Sequence, residues 1–189
     1  MFRRMNRILP VVFGLLLSGC TSFVIGEPYD KAIDDELNVF QKSTAEFIKS
    51  MQMNAGTAKG SYQSDEARKY YASAAASLSN LQLRADVLSS RTCPTSKALQ
   101  LFASAGVDTS QAAIANAEKR VGGAADSEAL DVSGNCIAIV VRGVRMAESD
   151  LEADHREASK LTPTVALLDS QEIDAAVRVA LTALRAKKY

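Results

Sequence analysis

Tryptophan is absent from this chain of 189 residues, histidine occurs once, and there are only 4 prolines and 10 glycines. No charge of one sign prevails either: 22 Lys and Arg stand against 22 Asp and Glu. That balance lacks the basic excess of a nucleic-acid binder, so no nucleic-acid partner is expected. A single histidine, His155, excludes a standard di-iron centre, which takes Glu-x-x-His from each of two helices plus two further Glu. There is no Gly-x-Ser-x-Gly elbow, no phosphate-cradling glycine loop and no Cys-x-x-Cys pair. With none of these, the sequence offers no nucleophile, nucleotide site or redox pair, and the expectation is a protein that is not an enzyme and needs no cofactor.

What is present is apolar material in quantity, 47% against 23% charged, which suits a folded rather than a disordered chain. The length suffices for one domain with a real core. Alanine is plentiful, and glycine and proline fall mainly at junctions, a mix that favours helices.

The N-terminus reads as a targeting segment. Arg3, Arg4 and Arg7 form a basic start, and Leu9 to Leu17 is an apolar run of nine residues. A helix needs about 20 such residues to span a bilayer, so this run reads as an export signal. It stops at Cys20, a cysteine with three possible fates: core residue, half of a disulfide, or processed terminus. Leu17-Ser18-Gly19-Cys20 resembles the lipobox of bacterial lipoproteins, with a leucine and two small residues before the cysteine. The resemblance implies cleavage before Cys20, a thioether-linked diacylglycerol on its sulfur, and usually a third acyl chain. Two or three chains anchor a protein stably where one does so marginally. Thr21 stands where an aspartate would signal inner-membrane retention, so the resemblance implies an outer-membrane anchor facing the periplasm in a Gram-negative cell. Beyond the lipobox the chain resembles small helical bacterial lipoproteins, which implies no activity.

Residues 1–19 are therefore expected to be a signal peptide, 20–27 a lipidated tether and 28–189 a helical domain. Loss of the three signal-peptide arginines would leave 19 basic against 22 acidic residues, a net charge of −3. Assigning Cys20 to lipid leaves Cys93 and Cys136, and an exported pair is expected to form a disulfide.

Heptad-like spacing dominates the rest. Ile33, Leu37, Phe40, Thr44, Phe47 and Met51 advance in alternating steps of four and three within a helix predicted over 29–54. Ser64 is a candidate N-cap for a second helix with the seam Ala67, Tyr71, Ala74, Leu78, Leu81, Ala85 and Leu88. A third is predicted from Ser133 to Lys160 on Ile137, Val140, Val144, Ala147, Leu151 and Ala158. A fourth is predicted from Ser170 to Lys187, capped by Asp169 and Glu172 and separated from the third by Pro163. "CIAIVVRGV" at 136–144 is β-branched enough to suit a strand, but its continuation "MAESDLEADHREASK" favours a helix. The expected architecture is an all-α, up-down-up-down four-helix bundle with a helical insertion, residues 94–131, between helices two and three.

The acidic run of helix three, Glu148, Asp150, Glu152, Asp154 and Glu157, with His155 among it, reads as a solvated face and not a metal site. Tyr70 and Tyr71 read as packing residues. Arg178, Arg185, Lys187 and Lys188, with Arg91, Lys97, Lys119 and Arg120, are expected at the membrane-proximal end. There they either meet anionic head groups or complement helix C-termini, and the second reading is preferred.

These features point to a membrane-anchored binding or scaffolding module for another envelope protein, with the 94–131 insertion as the first candidate surface. The alternative is a bundle that holds a small apolar ligand. The lipid reading has a direct check: intact mass and detergent-phase partition should show a lipidated N-terminus at Cys20. The variant Cys20→Ala should keep residues 1–19 and carry no lipid.

Overall fold

A computed structural model describes residues 28–94 and 134–186 of the chain. It contains four long helices: α1 (Lys31–Met53), α2 (Asp65–Leu88), α3 (Cys136–Ala158) and α4 (Pro163–Arg185). Among the described residues there is no strand, only an isolated antiparallel bridge between Ser61 and Lys160. No helix among them is long and apolar enough to cross a membrane. Each helix packs against two others, α1 and α3 each against α2 and α4, so the four enclose a shared core.

The buried stripes account for this packing. On α1 all six predicted seam positions are buried, joined by Ile48 and Asp34. On α2 the seam is buried from Ala67 to Ala85, with Leu88 partly covered at the end. Local caps fix where each helix starts. Asp30 accepts from the Ala32 and Ile33 N–H groups at 2.8 and 3.2 Å, and Ser64 accepts from Ala67 N–H at 3.2 Å. Such caps satisfy donors that the first turn leaves unpaired.

Two boundaries differ from the sequence expectation. Helix α4 begins at Pro163 and not at Ser170, with Thr162 as its cap. Proline at the first helical position loses no hydrogen bond, because its missing N–H would be unpaired there anyway. Pro163 is a starter, not a separator, and Asp169 lies inside the helix and buried instead of capping it. Helix α3 begins at Cys136, after Gly134 at φ +102° and the cap Asn135, and ends at Ala158 before Ser159 in the left-handed region. Ala158, expected in the seam, is exposed.

Helix ends meet at both ends of the molecule. At one, Arg185 of α4 pairs with the buried Asp34 of α1, its Nε at 2.8 Å. The guanidinium holds the Asp34 carboxyl down to about 2 against the opposing effect of burial. Arg84 of α2 reaches Asp30 at 2.7 Å. Asn135, which is 1% exposed, accepts from Ala138 N–H at 2.8 Å and donates to the carbonyls of Ala85 and Ser89 at 2.7 and 3.2 Å. Beside it, Cys93 and Cys136, 43 positions apart in sequence, form a disulfide with their Cα atoms 4.7 Å apart. Closing a loop of that length restricts the unfolded chain by roughly 4 kcal/mol on the chain-entropy argument. Residues 1–27 and, apart from Pro94, the segment expected as an insertion lie outside the described residues.

At the other end the α1–α2 connection holds a short 3-10 turn, Ala58–Gly60. A Cβ built on Gly60 would stand 2.2 Å from the Asn54 carbonyl oxygen, so only glycine fits there. Tyr62 N–H donates to the Ser159 carbonyl at 3.1 Å, tying this connection to the one between α3 and α4.

Asn135 combines a cap with two bonds to the last turn of α2. Asn135→Ala should lower the unfolding free energy in urea by about 2–3 kcal/mol, more than an exposed cap costs, because it also leaves buried carbonyls without a donor.

Candidate functional site

Polar side chains gather in the half of the core nearest Gly60. His155 on α3 is 0% exposed, which corrects the expectation of a solvated residue. Its Nε2 lies 3.2 Å from the Gly60 carbonyl oxygen and its Nδ1 2.9 Å from the Tyr71 hydroxyl. A carbonyl only accepts, so the partners assign the proton to Nε2, and Tyr71 donates to Nδ1. Burial holds the imidazole below its ordinary pKa, against the bond to Gly60. Burial likewise pushes the Tyr71 hydroxyl up, and the same holds for Tyr70. With both ring nitrogens engaged and the neutral form preferred, His155 is a tie between α3, α2 and the α1–α2 connection. It is not placed as a base for a nucleophile.

Aromatic rings surround this tie. Phe47 stacks on Tyr70 with centroids 3.8 Å apart, and Tyr71 meets both rings edge-on. The Tyr70 hydroxyl donates to Thr44 Oγ1 at 2.7 Å, and Thr44 donates to the Phe40 carbonyl at 2.8 Å, so the one polar member of the α1 seam is satisfied. The two tyrosines serve packing, as expected, and each hydroxyl also finds a partner.

The Glu-x-x-His pair is split. Glu152 accepts from the Tyr62 hydroxyl at 2.7 Å and from Arg156 at 2.8 Å, while His155 turns inward. Among the described residues no three His, Cys, Asp or Glu side chains are grouped to hold a metal ion. Glu148 is a second correction to the solvated face: it is 5% exposed, and its Oε1 has no hydrogen-bond partner. Burial first, and the Glu152 charge second, push its carboxyl up to about 7, against Arg145. Asp169 on α4 is also 5% exposed with an unpartnered Oδ2. Burial, then Asp154 and Glu172, push it to about 7 as well.

The surface carries an open groove of about 620 Å³ between α1 and α2. Its floor is Phe40, Phe47, Tyr70 and Ala74, and its rim carries Ser43, Ser73 and Ser77 beside the exposed Val39. Near one end Ser50 donates to Glu66 across it at 2.7 Å. A second open depression, about 490 Å³, lies between α1 and α4 beside Arg178 and Arg185.

Cys93 and Cys136 are joined, as the cysteine count predicted. Of the cations expected at one end, Arg185 is spent on Asp34, while Lys97, Lys119, Arg120, Lys187, Lys188 and the lipidation candidate Cys20 lie outside the described residues. Comparison with protein-family models, curated proteins and solved structures found no match.

The His155 tie has a measurable weight. Tyr71→Phe leaves Nδ1 buried without its donor and should cost about 1–3 kcal/mol in urea unfolding at pH 7. Because the folded histidine is held below its ordinary value, its contribution is present above about pH 6.5 and is lost as pH falls toward the folded value.

Proposed function

We propose that the protein is a lipid-anchored module of the cell envelope that binds another envelope component and performs no chemistry of its own. The sequence from Arg3 to Cys20 supports the anchor, and Thr21 an outer-membrane destination facing the periplasm. The domain is an up-down-up-down bundle in this reading. The meetings of Asp30 with Arg84, of Asp34 with Arg185, and of Asn135 with Ser89 support that order, since each pairs the start of one helix with the end of another. The insertion at 94–131 stays a second surface in the proposal.

The observation that carries the binding role is the groove between α1 and α2. It is open to solvent above a floor of the half-buried Tyr70 and the nearly buried Phe40 and Phe47, while the polar groups of the core turn inward and satisfy one another or stay buried. Ser43, Ser73 and Ser77 are small, so a partner segment approaches the floor closely, and their hydroxyls offer hydrogen bonds along it. The partner segment suited to this groove is a helix or extended strip with apolar side chains. An apolar small-molecule ligand is less well supported, because it calls for an enclosed apolar cavity between the helices and both depressions described above are open.

Photo-crosslinkers at Val39 and Ser77 in intact cells should capture the same envelope protein. A crosslinker at Leu168, exposed on α4, should not. Val39→Glu should abolish capture from Ser77. Equal capture from all three sites would remove the groove as the binding face.

A further inference from the structure

Arg178 is exposed two turns before Arg185 and on the same face of α4, since seven residues turn a helix through almost two full circles. The benefit of a cation to a helix C-terminus fades beyond the last turn, so Arg185 has that role and Arg178 does not. Among the described residues no carboxylate lies within ion-pair distance of Arg178. The acid one turn before it, Asp174, accepts from the Gln41 amide of α1 at 2.7 Å.

Arg178 borders the open depression of about 490 Å³ between α1 and α4, together with Gln41, Leu181, Thr182, Arg185 and Ala186. Among the described residues no acidic side chain lines it. Asp34 holds the Arg185 guanidinium in place and offsets its charge, so the unbalanced charge of the depression is that of Arg178. A guanidinium fork with a hydroxyl and an amide beside it suits a phosphate oxyanion, which takes several donors at once. Leu181 and Ala186 add an apolar strip, which a free phosphate leaves uncovered and a glycerolipid covers. Position favours the lipid too. Arg185 meets Asp34 in the first turn of α1, so the depression lies at the end where the chain enters from Cys20. Between Cys20 and Pro28 the backbone reaches at most about 28 Å.

We propose that the depression between α1 and α4 takes the phosphodiester of an anionic phospholipid, with Arg178 gripping the phosphate and Thr182 and Gln41 completing its bonds. The site is read from the bundle, and its lipid source rests on the anchored reading above. A lipid bound there is a second hold on the membrane besides the anchor, and it restricts the directions in which the groove between α1 and α2 faces.

A photo-crosslinker at Thr182 of the full chain tests this, in vesicles that mix phosphatidylcholine with phosphatidylglycerol, with the adducts read by mass spectrometry. Relative to their proportions, Thr182 should capture phosphatidylglycerol over phosphatidylcholine by about fivefold, and Arg178→Gln should remove that preference. A crosslinker at Val87, exposed at the same end on α2, should capture the two lipids equally with and without Arg178. Intact mass of the same preparation reads the lipid on Cys20, so failure of the anchor is seen apart from failure of the site. No preference at Thr182, a preference that survives Arg178→Gln, or the same preference at Val87 would each overturn the assignment. Calorimetry with inorganic phosphate separates the two sources. Heat that Arg178→Gln abolishes, without a lipid preference at Thr182, overturns the lipid and gives the site to free phosphate.

Discussion

Four amphipathic helices of nearly equal length share a core only if their ends are held in register. Here the helices have 23, 24, 23 and 23 residues, each about 35 Å long. A slip of one residue on any of them would rotate its stripe by about 100° and bring charge into the core. The register is held from both ends. The Asp34–Arg185 pair, the Asn135 bonds and the disulfide fix one end, and His155 with Gly60 fixes the other. Removing either set would leave the stripes apolar but free to slide, because close packing alone discriminates weakly among similar Ala and Leu surfaces.

Polar groups inside such a core carry a cost that is justified only where they are matched. His155, Tyr71, Thr44 and Asn135 each meet this condition. Glu148 and Asp169 do not, and their carboxyls accordingly lean to the neutral form near pH 7. The end near the disulfide combines Ile137, Ile139, Val140 and Leu184 with the buried Asp34, Gln82 and Asn135, while the buried acids that lean to the neutral form, Glu148 and Asp169, lie further along α3 and α4.

How much of this was legible from sequence varies by element and for physical reasons. The seams of α1 and α2 were legible because burial on one face of a helix enforces a steady three–four step. The Ser64 cap was legible because it precedes an acidic turn. The disulfide followed from counting cysteines once Cys20 was set aside. The start of α4 was misread because proline has two opposite meanings near a helix, and only the path of the chain selects one. His155 was misread because its neighbours in sequence are charged, although its spacing from Val144, Glu148 and Leu151 continues the α3 seam in steps of four, three and four. Register outweighed composition there. That Asp169 would be buried depends on how α3 and α4 pack, which no local pattern encodes. The groove depends likewise on the separation of α1 and α2.

The bond between Cys93 and Cys136 also changes what the backbone between them has to carry. It holds the ends of the stretch between them together, with their Cα atoms 4.7 Å apart. A single backbone cut anywhere within it would leave the pair α1–α2 covalently attached to the pair α3–α4. The protein would continue as one molecule made of two peptides until a reductant separated them.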